Sequence, residues 1–242
     1  RGVDFARMAS SRALVSYLTA AARLSCPSVL KGLADMSRDA RAAFWINVYN
    51  ALVLHGGLAV PPGPSDPTAR GPFFSGESGV RYSIGGLSLS LDDMEHAILR
   101  GSPEGDARSF AADDLARRAL VVPRDEVDPR LHFALNCGAR SCPPIKLYSA
   151  SNLEIGLALA AQAFCESEVQ VKVAEKTVTL SKILMWYGGD FAPKNDKAAL
   201  LTKICGYLSP EGTMATDLNL LLQAPEEIEL VFRDYDWSRN DA

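Results

Sequence analysis

The chain has 242 residues, 48% hydrophobic and 22% charged, with a formal net charge of -4. That composition supports a globular core, and the lack of a basic excess argues against nucleic acid as the main partner. No apolar run reaches the length of a membrane span, and five scattered cysteines, an odd number with no small-scaffold spacing, favour a reducing compartment.

In chain order, residues 2–25 carry apolar side chains at helical spacing and stop before Cys26-Pro27, where proline forces its predecessor out of helical conformation. A short helix follows near 30–36. The strongest helix covers 38–57, with Ser37 as N-cap, Gly56-Gly57 as the stop, and Phe44, Val48, Ala51 and His55 on one apolar face. The Pro- and Gly-rich stretch 59–79 reads as a loop. Residues 81–91 read as a hairpin turning at Gly85-Gly86. Asp92 or Asp93 then caps a helix that ends at Gly101, and 102–129 is mixed, with a short helix near 111–119.

LHFALN, 131–136, reads as a mostly buried strand, followed by a loop broken at Gly138 and Pro143-Pro144. Ser151 with Glu154 is a capping-box signature for a helix to about 166. A second hairpin covers 169–181, then come helices near 181–188, 195–208 and 214–222 and a strand near 227–232. The expected fold class is α+β: a mainly helical single domain with a small antiparallel β-sheet. Residues 1–36 are expected as an N-terminal helical segment packed on a main domain at 37–240. The opening Arg, with no signal-like segment after it, reads as a cut from a longer protein.

The densest chemistry is HFALNCGARSCPPI, 132–145, with His132, Cys137 and Cys142 in the order His-x4-Cys-x4-Cys. A thiol nucleophile needs a base, which His132 or His55 can supply, and an Asn or acid to orient the imidazole. Asn50 and Glu95 are the candidates for that last role. Gly138 would let backbone N–H groups approach an oxyanion, and Pro143 and Pro144 cannot donate. The bland alternative is that the cysteines are small buried hydrophobes. His-x4-Cys-x4-Cys also offers three zinc ligands, with His55 or His96 as a fourth, but it lacks the tight Cys-x2-Cys knuckle. A Cys137–Cys142 disulfide is conceivable across the loop without being a Cys-x-x-Cys redox motif. No cofactor and no metal ligand set is therefore expected.

Other polar residues have structural readings. His55 can sit in the core or at the helix C-terminal dipole. Asn47 and Asn50, if buried, must be hydrogen-bonded. Glu95 and His96 are sequence neighbours on a helix and should not face each other. Asp234, Asp236 and Trp237 read as a C-terminal lock, Arg130 as a partner for one of those acids, and Trp186–Phe191 as an aromatic core corner.

FWINVYNALVLHG, YSIGGLSLSLDDMEHAILRG, DPRLHFALNCGARSCPPI, LSKILMWYGGDF and YDWSRN, in this order, resemble the domain of unknown function 547 family, over about residues 37–240. The wording is most similar to eukaryotic members, where this domain is often joined to glutaredoxin-like and DEP domains. The resemblance thus implies a fragment of a multidomain cytoplasmic protein. It maps the family's recurrent polar residues onto Asn47, Asn50, His55, Glu95, His96, His132, Asn136, Cys137, Cys142 and Asp236. The Pro-rich 61–72 excursion departs from the family pattern. A Cys/His core in such a domain is similar in kind to papain-like and transglutaminase-like hydrolases, a fold-level analogy. The expected function is a cysteine-dependent hydrolase or acyl-transfer enzyme on an amide or ester, with a protein as substrate. The alternatives are a non-catalytic module binding a partner protein, and a zinc-stabilised domain.

Overall fold

Local start and stop signals set most of the elements. The computed structural model describes residues 2–61, 63–75, 79–102 and 108–241, and these residues are 55% helical with 11% strand. Residues 103–107 of the mixed stretch, and 62 and 76–78 of the Pro- and Gly-rich stretch, lie outside the described residues. The helices in the first half are α1 (Phe5–Ala9), α2 (Arg12–Ala22), α3 (Ser28–Asp35), α4 (Arg38–Ala59), α5 (Pro67–Phe74) and α6 (Leu115–Arg118). The expected continuous helix over 2–25 is thus interrupted, because Ser11 caps α2 by accepting from Ala13 N.

The chain divides into two compact units, Arg1–Val127 with Leu135–Leu153 and Trp237–Ala242, and Asp128–Ala134 with Glu154–Asp236. Residues 1–36 fall in the same unit as α4 and the cysteine loop.

In the first unit, α4 starts where Ser37 Oγ accepts from Ala40 N and runs past the expected glycine stop. Gly56 lies inside the helix because a Cβ there would strike Val80 and Phe73 at 2.7 and 2.9 Å. The helix is buried on nearly every side: Trp45, Ile46, Tyr49, Leu52 and Val53 are within 2% exposure. The expected stripe of Phe44, Ala51 and His55 is instead its less buried part, as suits a helix apolar all round. The expected loop at 59–79 contains α5, whose start has a clear local cause. Asp66 accepts from Thr68 N and Pro67 occupies the first helical position. β1 (Arg81–Ile84) and β2 (Leu87–Ser90) form the expected antiparallel hairpin, with Gly85 and Gly86 at positive φ. Asp93–Leu99 is a π-helix, and Arg100 N reaches back five residues to Glu95 O.

In the second unit, the expected LHFALN strand is absent: Pro129–Phe133 is a 3-10 helix. Asp128 caps it by accepting from Arg130 N, and Pro129 fixes its first turn. Helices α7 (Leu153–Glu168), α8 (Lys182–Trp186), α9 (Gly188–Phe191), α10 (Lys197–Cys205) and α11 (Thr213–Leu221) follow, as do β3 (Gln170–Lys172), β4 (Thr177–Ser181) and β5 (Glu229–Arg233). β3 pairs antiparallel with β4, but β5 joins β4 in parallel, so this second sheet is mixed. Its core gathers Phe133, Phe164, Leu180, Leu184, Leu201 and Leu218. Glu154 accepts from Arg130, which also pairs with Asp128 rather than with a C-terminal acid. Among the described residues, no single helix is long and apolar enough to cross a membrane.

Candidate functional site

The first unit holds the cysteine loop, and α4 holds the loop in place. Asn47 Nδ2 donates to Tyr148 O at 2.7 Å while its Oδ1 accepts from Tyr148 N at 3.0 Å. One turn further on, Asn50 Oδ1 accepts from Asn136 N at 2.8 Å. Another turn along, Val53 lies 3.5 Å from where a Cβ on Gly138 would stand. The two buried amides thus find the partners they need, and one helix face organises residues 136–148.

Asn136 clips the loop from within. Its Nδ2 donates to Pro143 O at 2.7 Å and its Oδ1 accepts from Gly138 N at 2.8 Å, a pattern that also fixes the amide orientation. Gly138, at φ 88°, makes the turn that a side chain would strain. Inside the clip, Cys137 and Cys142 are half-buried and not disulfide-bonded. Their Sγ atoms stand 2.8 Å apart, and Cys137 N donates to Cys142 Sγ at 3.1 Å. Three of the expected oxyanion donors are engaged: Gly138 N on Asn136 Oδ1, Arg140 N on Ser238 O, and Cys142 N on Ala139 O.

The C-terminal residues do form a lock, as expected for Trp237. The Arg70 guanidinium lies 3.7 Å above the Trp237 ring, and Asn240 N donates to Gly138 O at 3.2 Å. Asp234, by contrast, bonds the exposed side of Lys182 in the second unit. Beside the loop is a cleft of about 370 Å³, lined among others by Val53, Gly57, Asn136, Gly138, Pro144 and Arg239. Arg239 is held over the Phe5 ring at 4.3 Å and by Asp241.

The remaining predicted residues are placed elsewhere. His55 is about 200° around α4 from Val53, on the side facing Tyr82, whose hydroxyl is 3.1 Å from His55 Nδ1. Tyr17 meets that ring edge-on and hydrogen-bonds Tyr82. Burial holds the His55 pKa below its usual value and raises those of both tyrosines. The α4 geometry therefore does not bring His55 to the cysteines.

Glu95 is buried and accepts from Tyr49 OH at 2.8 Å. The π-helix brings Glu95 Oε1 to 3.8 Å from His96 Nε2, closer than the expected non-facing pair, though outside hydrogen-bond range. Arg100 and Arg108 approach the two nitrogens of His96 at 2.7 and 2.6 Å. A neutral imidazole has one acceptor nitrogen, so it can accept from only one of them.

His132 belongs to the second unit. Its Nε2 lies 2.8 Å from Asp190 Oδ2, both side chains are 1% exposed, and the ring stacks on Tyr187 at 4.0 Å. The sequence reading missed Asp190. Its signal was a lone acid inside the Trp186–Phe191 aromatic corner, which a buried corner would not keep without a partner. Of the other cysteines, Cys165 is buried and its pKa is pushed up to about 12 by burial. Burial also raises that of Cys205, and Cys26 is exposed. Among the described residues, no group of three or more His, Cys, Asp or Glu could hold a metal ion.

No curated protein and no solved structure matches the chain. The family model described as Protein of unknown function, DUF547, matches residues 33–165, more than half of the sequence, covering α4, the π-helix and the whole cysteine loop. The chain belongs to the DUF547 family.

Proposed function

We propose that the chain is a cysteine-dependent hydrolase or acyl-transfer enzyme acting on an amide or ester, with Cys142 as nucleophile and a protein as substrate. The observation that carries this reading is the pair of half-buried thiols in a clipped turn, with Asn136 and Gly138 shared between that turn and the cleft. Sulfur that becomes anionic accepts the Cys137 N–H more strongly than neutral sulfur does, so this donor favours the attacking form. Attack on a carbonyl needs a donor for the developing oxyanion, and the N–H groups of Cys137, Gly138, Arg140 and Cys142 are already engaged. The amide of Asn136 carries two protons and gives one to Pro143, so its second N–H is our candidate donor. The thiol proton needs a base; His55, turned toward Tyr82, is not placed to take it, so the proton passes to solvent.

A second reading, the non-catalytic interaction module, is favoured by one observation. Asn47, Asn50 and Asn136 all serve backbone hydrogen bonds, which is how a loop held for shape alone would use them. The two readings part in a trapping experiment. Incubation with p-nitrophenyl acetate should leave a hydroxylamine-labile acetyl group on Cys142, lost in Cys142→Ser and kept in Cys137→Ser, by mass spectrometry. No adduct, together with iodoacetamide labelling of both loop thiols no faster than that of exposed Cys26, overturns the enzyme reading.

A further inference from the structure

We propose that Cys137 and Cys142 are a reversible two-electron redox site, closing to an internal disulfide by exchange with a small-molecule disulfide such as that of a thiol tripeptide. The geometry does not rest on acyl transfer. An S–S bond is about 2.05 Å long, and the two sulfurs, at 2.8 Å, already stand within about 0.8 Å of it. Their approach is not accidental, because the residues immediately outside the pair, Asn136 and Pro143, are joined by the 2.7 Å amide–carbonyl bond. Asn50 and the Gly138–Asn240 bond fix the same turn from two further sides. Most of the loop-closure entropy is therefore lost on folding rather than on oxidation, which raises the effective concentration of one thiol at the other and favours closure. Half-burial of both thiols leaves an entry for a small reagent. Cys165, buried with its pKa raised, is neither accessible nor reactive in the folded state.

The step balances. The Cys142 thiolate attacks one sulfur of the added disulfide, forming a mixed disulfide and expelling one thiolate. Cys137 then loses its proton and attacks Cys142 Sγ, expelling the second thiolate. The two cysteines are oxidised by two electrons, the reagent is reduced to two thiols, and the two cysteine protons end on them.

Equilibrating the chain with glutathione and glutathione disulfide, quenching with iodoacetamide and mapping peptides by mass spectrometry tests this. The expected product is a 137–142 internal disulfide. It should be favoured at least about tenfold, at the same buffer ratio, over the mixed disulfide on exposed Cys26, because the second thiol is supplied intramolecularly. Cys165 should stay unmodified, which reports that the protein is folded. In Cys137→Ser the reaction should stop at glutathione on Cys142. Single glutathione adducts on Cys137 and Cys142 of the wild type, with no internal bond, overturn the proposal even if the serine variant fails to fold. Because the readout is mass and not turnover, a missing acetyl adduct leaves this result unaffected.

Discussion

Replacing Asn136 by Ala removes the clip and nothing larger. Two side-chain hydrogen bonds disappear, at 2.7 Å to Pro143 O and 2.8 Å from Gly138 N, while the Asn50–Asn136 N bond remains available. Each such bond contributes about 0.5–1.5 kcal/mol net, and a buried polar group left without a partner costs about 1–3 kcal/mol. Asn136 is 6% exposed and Pro143 is buried, so the stranded carbonyl pulls the sum towards the upper part of about 2–4 kcal/mol. Denaturant unfolding followed by fluorescence, with Trp45 buried in the same unit, measures it as a lower midpoint at unchanged slope. The same variant should slow closure of the 137–142 disulfide, because the turn must now be ordered on oxidation. Asn136→Asp gives the sign by pH. Its protonated carboxyl can still donate to Pro143 O, so its folded-state pKa is raised. The stability this supplies is present below the unfolded pKa and lost as pH rises through the folded one. A loss under about 1 kcal/mol with unchanged thiol oxidation would refute the clip.

Three further outcomes are expected. His55, its pKa lowered by burial, binds fewer protons folded than unfolded, so its stability contribution is present above about 6.5 and is lost as pH falls through the folded value. Melts of wild type and His55→Gln from pH 8 to 5 should converge on acidification, and parallel curves would contradict it. Gly85→Ala should lower stability by about 1–3 kcal/mol, because Gly85 has φ 60° and a Cβ would collide with Leu30; an unchanged melt would count against the hairpin turn. Asp190→Ala should cost about 3–5 kcal/mol, since it leaves His132 in a buried site without its carboxylate, and thermal denaturation reads this directly.

Where the chain carries its own punctuation, the sequence reading held. Ser37 and the apolar periodicity marked α4, and Gly85-Gly86 marked the hairpin. LHFALN failed because a short apolar run does not distinguish a strand from a buried helical turn. The deciding signal lies upstream, in Asp128-Pro129, where the acid caps a helical turn and the proline opens it. Asp66-Pro67 carried the same signal for α5 and was outweighed by Pro and Gly content. Nothing local announces the π-helix, in which Arg100 N bonds Glu95 O five residues back. Nor does sequence spacing connect His132 to Asp190, 58 residues away.

Within the site, the polar residues were legible as residues but not as roles. Asn50 was a candidate to orient an imidazole, whereas its oxygen instead takes the backbone N–H of Asn136. Gly138 was to let backbone N–H groups approach an oxyanion, whereas the turn it makes points its own N–H into Asn136. Both differences have one cause. A loop that crosses the surface of a helix buried all round must satisfy its backbone groups locally, and amides on that helix are the cheapest partners in reach. The reactive groups that survive this demand are those with capacity beyond it: sulfur, which makes only weak hydrogen bonds, and the second N–H of an Asn136 already anchored by the first. Chemistry at this loop is therefore expected to follow Cys137, Cys142 and Asn136, with the engaged N–H groups acting as the frame that keeps the three together.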